Sequence, residues 1–289
     1  MIGIALALMS AVAFALVTIL VRKKLSESDI LNVTLIINFV GIIILCPLVF
    51  LFTNFRTVSL EGVIYFAIAG MLGFGVARIL YYKGMQREGA SVNAAIFATY
   101  PMYSSIFAVL LLNEALSMMN WVGIVCIIAG VMLIERSLYK PKTGSNGIPK
   151  KSLAIIILTT LIAASSQIIL KYGLNIYNDP LLGIAIGYVF AFLTASLPFT
   201  LSNTKRGLSF VKGLQMFWKE GVLAFIGEVS LFYALSIEKV SIVIPLSQTE
   251  PMFILFFSYL YLKGLEKITV KLIIGTLIIV SGAIFVGIR

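Results

Sequence analysis

Ten stretches of about 20 mostly apolar residues account for most of this 289-residue chain. A helix rises about 1.5 Å per residue, so each stretch matches a hydrocarbon core ~30 Å thick. The stretches lie near residues 2–21, 30–52, 62–83, 90–112, 119–135, 152–171, 181–202, 221–237, 240–262 and 268–288. Their apolar character is continuous, without the polar/apolar alternation that a membrane β-barrel requires. With 60% hydrophobic and 12% charged residues, and a mean hydropathy of +1.07, the chain lacks the polar cover of a soluble domain. The fold class it predicts is an all-α integral membrane protein of ten transmembrane helices. The first stretch reads as a retained helix, because Arg22-Lys23-Lys24 follows it rather than precedes it.

The net charge of +10 is distributed between the stretches. The loops after stretches 1, 3, 5, 7 and 9 hold 17 of the Lys and Arg residues, whereas Arg56, Lys171, Lys239 and Arg289 stand on the other side. The positive-inside rule then puts the odd-numbered loops in the cytoplasm and both termini outside, in a multi-pass plasma-membrane protein. The cationic segment from Lys205 to Lys219 carries Phe210, Phe217 and Trp218 and reads as an interfacial stretch. No nucleic-acid partner is expected.

A pattern repeats at an interval of 150 residues. Thr99-Tyr100-Pro101-Met102 returns as Thr249-Glu250-Pro251-Met252, Ser91 falls on Ser241, and Arg78 falls on Glu228. Near the end of each half the interval becomes 152, where Glu114, Gly123 and Gly130 match Glu266, Gly275 and Gly282. The segment 139–151, rich in turn formers and cations, separates a first five-helix repeat (1–138) from a second (152–289). Five crossings per half invert the second half relative to the first, and the exchange of basic and bare loops between halves agrees. Inverted repeats are common in carriers, with a site near the midplane where the halves meet.

Charges inside such segments are costly, about 2.5–3.5 kcal/mol on insertion scales, and mark functional positions by default. Arg78 shares a helix face with Phe74, Tyr81 and Tyr82, a setting suited to cation–π contact and to binding a carboxylate. Glu228 is too short to reach the interface and must be paired, protonated or wet. Glu250 follows Ser247 and Gln248 and precedes Pro251, which removes a backbone hydrogen bond. The corresponding stripe of the fourth stretch is Asn93, Phe97, Tyr100 and Ser104. Arg78, Glu228, Glu250, Tyr82, Tyr100, Asn93, Ser247 and Gln248 are therefore the candidate substrate-binding residues, with Pro101 and Pro251 as hinges. Lys171 is expected to snorkel from a helix end, with Ser165 and Gln167 as interhelical glue. Glycines 123, 130, 275 and 282 are expected to permit close helix packing, and Glu114 and Glu266 to sit favourably at helix N-termini. Cys46 and Cys126 read as small packing residues.

The chain has no histidine, and its only aspartates, Asp29 and Asp179, lie in loops. An intramembrane aspartyl dyad and histidine chemistry are thus absent, as are Gly-x-Ser-x-Gly and a phosphate-binding Walker sequence. No enzymatic role, cofactor or metal is expected. An intramembrane enzyme and a non-transporting receptor or scaffold are the rival classes.

Two repeats, each with a proline in its fourth helix (Pro101, Pro251), then a Glu-bearing boundary (Leu112-Asn113-Glu114, Gly264-Leu265-Glu266) and a glycine-rich closing helix, resemble the EamA-type members of the drug/metabolite transporter superfamily. Tyr81-Tyr82-Lys83-Gly84 and Phe232-Tyr233-Ala234-Leu235 are similar to that family too. The tryptophan common in its first helix is absent from Ser10-Ala11-Val12-Ala13-Phe14. The resemblance implies a secondary transporter of small metabolites, amino acids or drugs among them, working by alternating access. Protons are a candidate coupling ion, and the bilayer houses a monomer or homodimer.

Overall fold

The computed structural model describes residues 1–24, 30–53, 58–88, 93, 96–97, 99–138, 150–201, 210–261 and 270–287. Within them, all regular structure is helical. Apolar surroundings offer no partner to a free backbone N–H or C=O, and a helix satisfies both within one segment. The elements are α1 (Ile2–Lys24), α2 (Ile30–Phe52), α3 (Leu60–Gly70), a π-helical stretch (Met71–Ala77), α4 (Arg78–Glu88), α5 (Tyr100–Leu112) and α6 (Met118–Leu138) in the first half. The second half has α7 (Lys150–Ile176), α8 (Pro180–Leu201), α9 (Phe210–Ile237), α10 (Val240–Ser247), α11 (Glu250–Tyr261) and α12 (Val270–Gly287). Among the described residues, six helices are long and apolar enough to span a bilayer by length and composition alone. Bulky side chains left outside the bundle, such as Phe50, Leu51, Leu197 and Leu277, form the lipid-facing surface.

Helix ends are set by local chemistry. The Ser59 hydroxyl accepts from Gly62 N at 3.3 Å at the start of α3. Asp179 accepts from Leu182 N at 2.9 Å at the start of α8, with Pro180 in the first turn, where its missing N–H costs nothing. Asn113 takes a left-handed conformation (φ 54°) that closes α5.

Packing follows the repeats. Helices α6 and α12 cross at their glycines: a Cβ on Gly123 would stand 2.7 Å from the Gly282 carbonyl oxygen, and one on Gly130 would stand 2.7 Å from that of Gly275. These backbones touch because neither side has a side chain to hold them apart. Gly70 and Gly187 bring α3 and α8 together in the same way, with 2.2 Å from an added Cβ to the Gly187 Cα.

Several boundaries differ from those the sequence predicts. The eighth crossing begins at Phe210 rather than 221, so Phe210–Lys219 continues α9 instead of lying as a separate interfacial segment. The ninth breaks into α10 and α11 at Gln248-Thr249. Pro101 and Pro251 do not bend continuous helices; each occupies the first turn of a new one, α5 and α11. A helix start asks nothing of the proline nitrogen, which explains why the break precedes the proline. Pro47 and Pro245, by contrast, lie inside helices. Cys46 is exposed on the outer surface rather than packed. The 139–149 part of the linker, Ser91 and Glu266 lie outside the described residues.

Candidate functional site

The π-helical turns Met71–Ala77, containing Gly73 and Gly75, run directly into Arg78. An added residue per turn rotates the helix beyond it, and such irregularities recur at functional sites. Arg78 is delivered into the bundle, where its Nη2 donates to Glu228 Oε1 at 2.7 Å and its Nη1 to Asn38 Oδ1 at 3.0 Å. The Phe74 ring lies 5.2 Å from the guanidinium carbon. Arg78 and Glu228 side chains are 14% and 3% exposed, so the pair is held away from bulk solvent. A charge pair that is this buried is sustained only by good geometry and additional hydrogen bonds, which Asn38 supplies.

The surroundings are aromatic, and their hydrogen bonding is incomplete. Phe74 contacts Tyr188 and Phe232 at ring separations of 5.4 and 5.8 Å. Tyr188 is fully buried within electrostatic range of Glu228 and Arg78. Glu228 Oε2, Asn38 Nδ2 and the Tyr188 hydroxyl are all buried, and among the described residues these atoms have no hydrogen-bond partner. One anionic acceptor, one amide donor and one hydroxyl thus converge around the ion pair. Buried polar groups are normally satisfied, so such a convergence points to an outside partner.

A second carboxylate joins from α11. Thr18 of α1 donates to Glu250 Oε1 at 2.6 Å. Tyr82, 8% exposed, lies within electrostatic range of Arg78, Glu250 and Glu228 together. Tyr100 is buried and stacks on Phe97 at 5.3 Å, which meets Tyr81 edge-on at 4.9 Å. The Gln167 side chain of α7 faces the Tyr100 hydroxyl. Glu250, from the second repeat, therefore meets α1 of the first, and Tyr100, from the first, meets α7 of the second.

The remaining expected residues do other work. Asn93 Nδ2 donates to the Tyr81 carbonyl at 3.2 Å, tying Asn93 itself to α4. Ser247 donates to the Ile244 carbonyl at 2.9 Å within its own helix, and Gln248 is half-buried in the turn before α11. Lys171 does not snorkel: Nζ donates to the Leu235 and Glu238 carbonyls at 2.5 and 2.9 Å, capping the C-terminal end of α9. Ser166 donates to the Ala69 carbonyl at 2.9 Å, a bond between α7 and α3.

Glu114 sits at a helix N-terminus, but of the opposite repeat. Its Oε1 accepts from Val240 N at 2.8 Å, while Oε2 accepts from Ser241 N at 3.0 Å and Ser241 Oγ at 2.5 Å. Lys239 Nζ reaches the Ala115 carbonyl at 2.8 Å, and the Tyr172 hydroxyl donates to the Leu111 carbonyl. The Glu114 and Lys239 bonds fasten one end of α5 to the start of α10, and the Tyr172 bond ties the same end to α7.

Asn38 and Tyr188 are not among the residues marked by charge or by the proline motif, although they too are 150 residues apart. A search for polar or aromatic pairs at that interval finds them. Glu220 falls one residue before the expected start of the eighth crossing, so its burial is legible only in the structure.

The chain matches the EamA-like transporter family over residues 1–136 and 150–288. It is 22% identical over 225 residues to an uncharacterized transporter of Archaeoglobus fulgidus, covering 77% of this chain and 75% of that one. An uncharacterized protein of Methanocaldococcus jannaschii is 27% identical over 135 residues, which are 97% of its length but 47% of this chain. A solved crystal structure superposes with a TM-score of 0.75 at 11% identity, covering 99% of this chain and 96% of that one; it shares the fold. Two matched segments, one in each half, and an ion pair joining equivalent positions of the halves lead to one assignment: the chain belongs to the EamA-like transporter family.

Proposed function

We propose that this membrane transporter is a secondary carrier that moves a small metabolite by alternating access around the Arg78–Glu228 pair. The observation that carries the reading is the pair itself: two oppositely charged side chains from equivalent positions of the repeats, near buried polar atoms of Glu228, Asn38 and Tyr188 that have no partner among the described residues. A solute bearing both hydrogen-bonding and apolar surface would satisfy those atoms and stack against Phe74 and Tyr188. Amino acids and related compounds, or drugs, have such surfaces. Glu250, held by the Thr18 hydroxyl, is the group we assign to proton coupling, and Tyr82 lies within electrostatic range of both it and the pair. The breaks before Pro101 and Pro251 serve as hinges about which the halves rock. Residues 1–138 and 152–289 act as the two moving units, in a plasma membrane with the odd-numbered loops cytoplasmic.

Flux into proteoliposomes with a panel of labelled amino acids, amines, organic acids and sugars tests the proposal. Saturable uptake of at least one solute, abolished in Arg78→Ala, is the expected result. A panel in which nothing moves, and in which nothing shifts the thermal unfolding of the purified protein, would remove the carrier reading.

A further inference from the structure

A second buried ion pair lies on α9, eight residues before Glu228, or about 12 Å along a helix at 1.5 Å per residue. Lys24 Nζ, at the end of α1, contacts Glu220 Oε1 at 2.6 Å and donates to the Met216 carbonyl at 2.5 Å. It also lies 5.5 Å from the centre of the Phe217 ring. Glu220 is 0% exposed, whereas the Lys24 side chain is 29% exposed. Glu220 therefore sits behind Lys24, and Lys24 faces outward.

From these groups we infer that Lys24 and Glu220 form a second ligand station, taking a small dipolar solute on its way to or from the Arg78–Glu228 site. The inference rests on the carrier reading above. An ammonium has three N–H donors, and the Met216 carbonyl and Glu220 Oε1 occupy two of them. Glu220 Oε2 is fully buried, and among the described residues that atom has no hydrogen-bond partner. A cation with a spare donor on the open side thus stands in front of an anion with a spare acceptor on the closed side. A solute with one anionic and one cationic end engages the Lys24 ammonium from the open side and, as Lys24 swings aside, the Glu220 carboxylate behind it, without changing the net charge of the site. A singly charged solute would match one partner and leave the other charge buried and unpaired, which is the costly case. The Phe217 ring supplies the apolar wall.

Position supports the assignment as strongly as chemistry. Tyr82 is within electrostatic range of Glu220 as well as of Glu228, Arg78 and Glu250, so both stations lie near one side chain. The pair also has no counterpart at the repeat interval: position 70, which matches Glu220, is a glycine packed against Gly187. Simple closure of a symmetric bundle does not call for charges on one side alone.

The test is equilibrium binding to the purified full chain, with tritiated alanine and phenylalanine as dipolar probes and lactate and phenethylamine as singly charged controls. Wild type is expected to bind two equivalents of a dipolar probe, and Lys24→Met/Glu220→Gln one, with an unchanged tighter constant and uptake slowed about ten-fold. The charge swap Lys24→Glu/Glu220→Lys keeps an ion pair if the neutral variant folds poorly, and it is expected to bind two equivalents. A single equivalent in wild type, no dipolar binding at all, or two equivalents in the neutral variant would each overturn the station. If wild type carries only singly charged or uncharged solutes, the station fails while the carrier reading survives. If it carries nothing, the carrier reading fails first.

Discussion

Arg78 and Glu228 hold equivalent places in the two repeats, 150 residues apart, and they touch at 2.7 Å. Residues related by a two-fold operation can meet only on its axis, so this contact locates the pseudo-two-fold axis that relates inverted halves. A perfectly repeated sequence would set like against like there, and two buried guanidinium groups or two carboxylates would repel. Divergence to one of each converts a repulsive position into an ion pair. Asn38 and Tyr188, also 150 residues apart, both lie near it, Asn38 bonded to Arg78 and Tyr188 within electrostatic range of Glu228.

Removing one member of this pair strands a buried charge, which costs about 3–5 kcal/mol, whereas replacing both with apolar residues of similar volume is often neutral. Arg78→Ala should lower the thermal unfolding midpoint sharply. Arg78→Met/Glu228→Leu should restore most of the stability yet leave uptake abolished. Restored uptake in the double variant would show the pair to be structural only.

Glu250→Gln keeps an oxygen that can accept from Thr18 but cannot take up a proton. Counterflow exchange of a bound solute should persist in this variant, while uptake driven by a pH gradient should fall about ten-fold or more, as expected on losing a proton-transfer group. Equal loss of both activities would assign Glu250 to solute binding instead.

Glu114→Ala removes the acceptor for Val240 N, Ser241 N and Ser241 Oγ at once. Each orphaned buried donor costs about 1–3 kcal/mol, so a lower unfolding temperature is expected. A cysteine introduced at Ser241, which is 0% exposed, should react faster with a membrane-impermeant maleimide in the Glu114→Ala background. Unchanged labelling would show that the α5–α10 fastening does not control access.

Gly130→Leu would drive a side chain into the Gly275 backbone, where even a Cβ stands 2.7 Å from a carbonyl oxygen. Overpacking costs about 1–3 kcal/mol when neighbours can shift and more when they are backbone. Gly130→Leu should unfold earlier than Val125→Leu, whose position on the same helix is 58% exposed at the outer surface. Similar unfolding of the two variants would contradict the α6–α12 crossing.

Much of the fold could be read from particular residues. The apolar runs require helices, since only helices satisfy their own backbone in lipid. The 150-residue interval between Pro101 and Pro251 exposed the duplication, and the matched glycines of α6 and α12 marked a close crossing. The site was half legible: Arg78, Glu228 and Glu250 stood out because charge in hydrocarbon is costly. Asn38, Thr18 and Tyr188 did not, since hydroxyls and amides are common interhelical glue and carry no such mark.

By itself, then, the sequence determined the fold class, the inverted duplication and the three charges within the apolar segments, because length, interval and charge are properties of single segments. Tertiary structure alone decided that Arg78 pairs with Glu228, that Glu250 is held by Thr18, that Glu114 caps the opposite repeat, and that Lys24 meets Glu220. Each of these is a contact between residues more than 100 positions apart, and periodicity within a helix contains no information about which helix lies alongside. The π-helical turns before Arg78 are a further case. They rotate a side chain onto the axis by a backbone adjustment that regular helical spacing does not anticipate.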